Sequence, residues 1–266
     1  MIGLSSSSPI ILSSYHPILP FLVSPDLSPR NRPQTVAERK FAEQAAELTQ
    51  LDLAERFTRI HDTNLWSDAE SRSGSGSALA STAELRAKLP DFLRALGVHR
   101  LLDVPCGDFH WMSHVDFDAA GVTAYVGGDV VQAIVDADRA CYAAPGQTFE
   151  RVDLTTGPLP HVDGAPADAV FCRDCLVHLS FANIARVIDV VRASGVRYLI
   201  TTTFLDQAEN ADILDGDWRP INLQRSPFNL PEPVAVLVEG CTEEGGGFSD
   251  KSLAAWRMLG DDRTIG

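Results

Sequence analysis

The sequence predicts an α/β fold: a doubly wound, Rossmann-like sheet, mostly parallel, with helices on both faces and an antiparallel C-terminal hairpin strand. Three observations carry this. Between residues 100 and 204, short apolar runs alternate with amphipathic stretches of helical period. The first three runs each end on or just before an aspartate: Asp103, Asp129 and Asp153. The first run, in "LLDVPCGDFHWM" (101–112), then turns through Pro105, Cys106, Gly107 and Asp108 toward a helix. That is the outline of a nucleotide-binding strand–loop–helix carrying a single glycine.

Taken in order, residues 1–35 read as an unstructured extension. The segment is apolar, but no Lys or Arg precedes Arg30, and Pro9, Pro17 and Pro20 interrupt it. It therefore suits neither a signal peptide nor a membrane span. Residues 36–97 form an N-terminal helical segment. "TVAERKFAEQAAELTQLDLAERFTRIHD" has helical apolar spacing throughout. The Ser/Gly-rich stretch 64–82 follows; composition favours a linker. The alternative is a lid in which Gly74 and Gly76 give hinge freedom and Trp66 covers a ligand. "STAELRAKLPDFLRALGV" reads as a helix capped by Ser81 or Thr82 and stopped at Gly97, with Pro90 a candidate break.

Residues 98–266 form the main domain. Strands are expected at 100–104, 123–129, 149–153, 167–172 and 196–204, with helices over 131–144 and 181–194. Two further strands, 234–240 and 254–259, have no room for a helix between them and so form the hairpin.

With 266 residues and 45% hydrophobic content, the chain can bury a full core. A net charge of −14 argues against a protein that tracks nucleic-acid phosphates. Five cysteines (Cys106, Cys141, Cys172, Cys175, Cys241) give no disulfide framework, and a reducing, cytoplasmic setting is the default expectation. Cys172 and Cys175 form C-x-x-C without a second pair, which reads as packing, and no metal site is expected. Asp212, Asp215 and Asp217 read as a solvated acidic loop rather than a Mg²⁺ site.

A dinucleotide fold needs several glycines so that backbone N–H groups can approach a pyrophosphate. Here one glycine is followed by Asp108, whose carboxylate would repel phosphate. The loop suits an adenosyl ligand that has no phosphate and carries positive charge, such as S-adenosylmethionine.

At these residues the chain resembles the class I S-adenosylmethionine-dependent methyltransferases. "LLDVPCGDF" stands at their first motif, "YVGGDVV" at the ribose-binding acid, "FERVDL" at the third-strand acid and "ADAVFCRDCLVHLS" at the acceptor-facing motif. Pro-Cys replaces the family's glycine-containing turn. The resemblance implies that Asp103, Cys106, Gly107 and Asp108 meet the amino-acid end of the cofactor. It also implies that Asp129 takes the ribose hydroxyls and Asp153 the adenine amino group. "ESRSGSGS", "PCGDFHWM", "CRDCLVHLS" and "NLQRSPFNLPEP" look like a subgroup for which a hydroxyl acceptor, a saccharide among the candidates, is implied.

His178 falls just past the fourth strand, where this class meets its acceptor. It is a candidate general base, with Asp174 orienting it if the intervening turn is helical. Packing beneath the next helix weighs more. His110 and Trp111 read mainly as structure. The long loop 210–233 brings Asn210, Trp218 and Arg219, which together with Trp66 are the candidate acceptor contacts; a structural wrap is the equal alternative. The expected activity is methyl transfer to a small polar acceptor at oxygen, with no nucleic-acid or membrane partner. The rivals are a nicotinamide-dependent oxidoreductase and a non-catalytic metabolite-binding domain.

Overall fold

Parallel pairing of the short apolar runs builds the centre of a mixed sheet in the computed structural model, which describes residues 10–11 and 32–259. The strands are β1 (Ile10–Ile11), β2 (Arg100–Asp103), β3 (Ala124–Asp129), β4 (Gln147–Arg151), β5 (Ala169–Cys172), β6 (Tyr198–Phe204), β7 (Ala235–Val238) and β8 (Lys251–Arg257). They lie in the order β1-β7-β8-β6-β5-β2-β3-β4. β8 runs antiparallel between β6 and β7, and every other pair is parallel. The helices are α1 (Val36–Leu48), α2 (Leu53–Asp62), α3 (Ala83–Leu96), α4 (Phe117–Ala120), α5 (Gln132–Tyr142), α6 (Phe181–Ala193) and α7 (Glu243–Gly246), the last a single irregular turn between β7 and β8, where the sequence reading expected no helix. Apart from 10–11 and 32–35, the expected extension 1–35 lies outside the described residues.

Strand order reverses between β2 and β5, so the loops leaving these two strands diverge and open a crevice at their carboxyl ends. Alternation along the strands fills both faces. Leu102, Val126, Val170 and Leu199 pack with Ile184, Val187 and Val191 of α6. Leu101, Tyr125, Phe171 and Ile200 pack with Leu85, Leu89 and Phe92 of α3.

The structure departs from the sequence expectation at five further places. The helix expected over 35–62 is two helices, because Thr35 and Asp52 each form a capping box, with Glu38 and Glu55. Arg56 stitches the break by donating to the carbonyls of Leu48 and Leu51. Pro90 does not split α3. The proline costs about 3 kcal/mol in a helix interior, but each buried leucine or phenylalanine on that face returns about 1.5–3 kcal/mol. β4 ends at Arg151, so Asp153 lies in the following turn. β8 begins at Lys251, three residues early, since Lys251 and Ser252 are polar yet buried. Finally, Thr82 stands at the N-cap of α3 but its hydroxyl donates back to the Ala78 carbonyl.

The Asp52 carboxylate accepts from the Glu55 N–H at 2.8 Å. Asp52→Ala is expected to lower unfolding free energy by about 1 kcal/mol, read as a shift in the denaturant midpoint at constant slope.

Candidate functional site

The crevice holds a cleft of about 1060 Å³, including its mouth, at the ends of β2, β3 and β5. Asp103, the last residue of β2, is 3% exposed and accepts a hydrogen bond from the Tyr125 hydroxyl at 2.7 Å. Burial pushes its carboxyl up to about 8. Asp129 ends β3, where its Oδ1 accepts from the Val131 N–H at 2.9 Å and its Oδ2 from the Gly107 N–H at 3.3 Å. Burial still outweighs those bonds and lifts it to about 6.

Asp138 on α5 receives the Cys106 thiol at 3.7 Å and is raised by burial to about 7. Three buried carboxyls thus surround one loop, and the Asp129 charge adds to the upward shift of both Asp103 and Asp138. Asp153 borders the same cleft, and its Oδ1 accepts from both the backbone N–H and hydroxyl of Thr155 at 2.7 Å.

The far wall comes from outside the α/β core. Leu53, Phe57 and His61, four residues apart along α2, line one side. The Ser/Gly-rich segment lies across the opening. Ser71 donates to both oxygens of Asp108 at 3.0 and 2.8 Å, Ser73 donates to Asp108 at 3.3 Å, and the Arg72 N–H does so at 3.1 Å. The Ser73 hydroxyl in turn accepts from the Asp108 N–H. Gly107 permits this approach: it has φ +56°, and a Cβ there would sit 2.3 Å from Ser73 Oγ.

His178 follows β5. Its Nδ1 lies 2.8 Å from the Asp217 carbonyl, so in the neutral ring Nδ1 carries the proton and Nε2 is the basic nitrogen. Burial depresses the imidazole to about 4. Trp66 packs against it with ring centroids 4.8 Å apart.

Several expected contacts are corrected by this geometry. Asp108 turns its carboxylate to Ser71–Ser73 and does not border the cleft, because three donors of that segment occupy it. Asp174 does not orient His178. It has φ +51°, so the turn is not α-helical, and its carboxylate is taken by Lys251 at 2.6 Å and Arg173 at 3.2 Å. Arg219 is buried and donates to the carbonyls of Leu176, Leu179 and Ala211. Asn210 bonds the backbone of Asn222 and Ser226. Arg219 thus fastens loop 210–233 to the domain, Asn210 ties that loop to itself, and neither borders the cleft. Trp218 packs on Phe248 and stands outside the larger cleft. Asp212 and Asp215 accept from the first N–H groups of the α6 region, at Phe181 and Ser180. Among the described residues, no group of three or more His, Cys, Asp or Glu is placed to hold a metal ion. No helix there is long and apolar enough to cross a membrane.

Other residues the sequence reading passed over stand on or behind the site's walls, Arg173 among those that line the cleft. Asp138 was legible, since it falls on the buried stripe of α5 with Ile134 and Val135. Arg173 at the end of β5 is buried, pairs with Glu239 at 2.8 Å and lies 5.2 Å from the Trp111 ring centroid. Lys251 lies 3.8 Å from both Glu239 and Glu243. Only the sheet brings these together: β8 is antiparallel, so its first residue meets the carboxyl ends of β5 to β7.

No protein-family model matches the sequence, and no curated protein matches it. Solved structures do match. Human N-acetylserotonin methyltransferase in complex with SAM aligns over 82% of this chain and 65% of its own, at 10% identity and a TM-score of 0.52. Two others are SAM-bound CalS10, an amino pentose methyltransferase from Micromonospora echinaspora, at 24% identity and TM-score 0.36, and an S-adenosylmethionine-dependent methyltransferase from Mesorhizobium loti, at 25% and 0.33. Each covers 44% of this chain, and the match spans about half of each relative's length (48% and 53%). The alignment to the human enzyme shows the fold: a Rossmann-like sheet of the methyltransferase type.

The raised carboxyls fix a sign for pH dependence. Asp103 binds its proton more tightly folded (about 8) than unfolded, so its contribution is complete at low pH and is lost as pH rises through 8. Asp138 and Asp129 act in the same direction at lower pH. The depressed His178 acts oppositely, but only between about 4 and its unfolded value of about 6.5. From pH 6.5 to 8.5 the ligand-free Tm is therefore expected to fall, and Asp103→Asn to flatten that slope. An equal slope in the variant would remove Asp103 as its source.

Proposed function

We propose that the protein is an S-adenosylmethionine-dependent methyltransferase acting at the hydroxyl of a small polar acceptor, with a saccharide as the leading class. The observation that carries this is the set of buried carboxyls around the Pro105–Gly107 loop. Their ionised forms are disfavoured in the free protein, and a cationic ligand would reverse that. Pyrophosphate would worsen the repulsion, which speaks against a nicotinamide dinucleotide. The cleft also has room for an adenosyl ligand beside apolar Val131, Ile134 and Leu154.

In this reading Asp129 accepts from the ribose hydroxyls, because a carboxylate offers two oxygens to a vicinal diol. Its bond from Gly107 ties the β2 and β3 loops together at that point. Asp153, positioned by Thr155, accepts from the adenine amino group. Asp103 and the backbone at Cys106 and Gly107 meet the amino-acid end. Asp108 holds the lid segment shut and makes no cofactor contact. Bound there, S-adenosylmethionine supplies an electrophilic methyl group on a cationic sulfur.

His178 borders this cleft and, neutral with Nδ1 held by the Asp217 carbonyl, presents Nε2 as a proton acceptor for the acceptor hydroxyl. Trp66 and α2 exclude water, so positioning contributes most of the acceleration. Activation by so weak a base works only while the hydroxyl loses its proton in step with bond formation.

Calorimetry with S-adenosylmethionine and separately with NAD⁺ tests the reading: binding of the former alone is expected, and binding of NAD⁺ alone sinks it. Asp129→Ala is expected to weaken S-adenosylmethionine binding by about tenfold or more while the far-UV spectrum and cooperative melt persist. Unchanged affinity would remove the ribose assignment. His178→Ala is expected to cut turnover by about 100-fold with cofactor affinity nearly intact, and normal turnover would leave it a packing residue.

A further inference from the structure

Across the lid from the cofactor cleft lies a second opening of about 680 Å³ including its mouth. Trp66, Ser73, Asp174 and His178 border both, so the two spaces share a wall. The rest of the second wall comes from parts distant in sequence. Thr35 to Ala37 close one side, Phe204, Trp218 and Phe248 form a cluster of rings, and Glu243 and Lys251 add charge. We propose that this second opening is the acceptor chamber and that it takes a neutral, polyhydroxylated ring of saccharide type with one apolar face. The proposal rests on the methyltransferase reading above.

The polar groups select the chemistry. Asp174 and Glu243 are carboxylates, which only accept, so the ligand must supply donors. Their charge is already largely matched: Lys251 and Arg173 stand against Asp174, Glu239 and Glu243 in one network, in which Arg173, Lys251 and Glu239 are buried and Asp174 and Glu243 keep part of their surface open. A ligand cation would compete with a lysine already in place. Hydroxyl donors need only the remaining lone pairs. Asp174 stays ionised at any working pH, because Arg173 and Lys251 hold its carboxyl at about 2. The aromatic side suits the C–H face of a sugar ring.

The lid makes the chamber narrow. Ser75 donates to Glu243 at 2.7 Å, and a Cβ on Gly76 would lie 3.2 Å from Asp174 Oδ2. A ring seated there against Trp66 presents a hydroxyl toward His178, which borders both spaces.

Saturation-transfer NMR tests this with methyl α-D-glucopyranoside, methyl α-D-galactopyranoside and benzylamine, on the full chain with and without S-adenosylhomocysteine. At least one pyranoside is expected to receive saturation, and benzylamine not. Ala37→Trp fills the chamber from a position that does not border the cofactor cleft. It should weaken pyranoside binding by about fivefold or more and leave S-adenosylhomocysteine affinity within about twofold. Glu243→Ala, which removes two acceptor oxygens, should weaken the pyranoside similarly, and serves if Ala37→Trp proves unstable. The proposal is overturned if no pyranoside binds the native protein, if benzylamine binds instead, or if pyranoside binding survives both variants. Failure of S-adenosylhomocysteine to bind, with pyranoside binding still blocked by Ala37→Trp, would overturn the cofactor reading and leave the chamber standing.

Discussion

The hydrogen bonds between Asp108 and the Ser71–Ser73 segment create the enclosed geometry. Without them, the ends of β2 and β3 would open directly to solvent. With them, a segment from the N-terminal part of the chain is held across the crevice and divides it into two spaces. The contact depends on Gly107, because any side chain there would displace Ser73. The loop glycine therefore serves the lid as well as any ligand below it.

Enclosure has an electrostatic consequence. Asp103, Asp129 and Asp138 are buried and raised chiefly by desolvation, and the Asp129 charge adds to the shift of the other two. Such groups lower stability when ionised, and the proposed function assigns them to a cationic ligand. The second cluster behaves differently. Arg173 and Lys251 largely match Asp174, Glu239 and Glu243, giving a charged but internally satisfied wall. In the proposed reading one space takes a cationic ligand and the other a neutral donor.

The sheet explains why both clusters meet at one end. Parallel strands bring their carboxyl termini together, and the antiparallel β8 delivers its first residue, Lys251, to the same edge. A basic residue at the start of a strand and an acid just after another, Glu239, are unremarkable in sequence. Only pairing in register makes them partners.

The alternation of apolar runs with helical stretches was enough to determine the doubly wound sheet, its antiparallel closing pair and the acids at the strand ends, since strand and helix periods are local properties. Asp103 and Asp129 were legible for that reason, and Asp138 and the second capping box at Asp52 were legible too. Side-chain direction was not. Asp108 faces the lid, Asp174 faces Lys251, and Arg219 and Asn210 bind backbone, because each is fixed by partners 12 to 77 residues away. Composition favoured a linker at 64–82, whereas tertiary hydrogen bonds give that stretch one seat. Local sequence sets where the chain bends and what it can bury; which polar groups then face each other depends on contacts that no local pattern encodes.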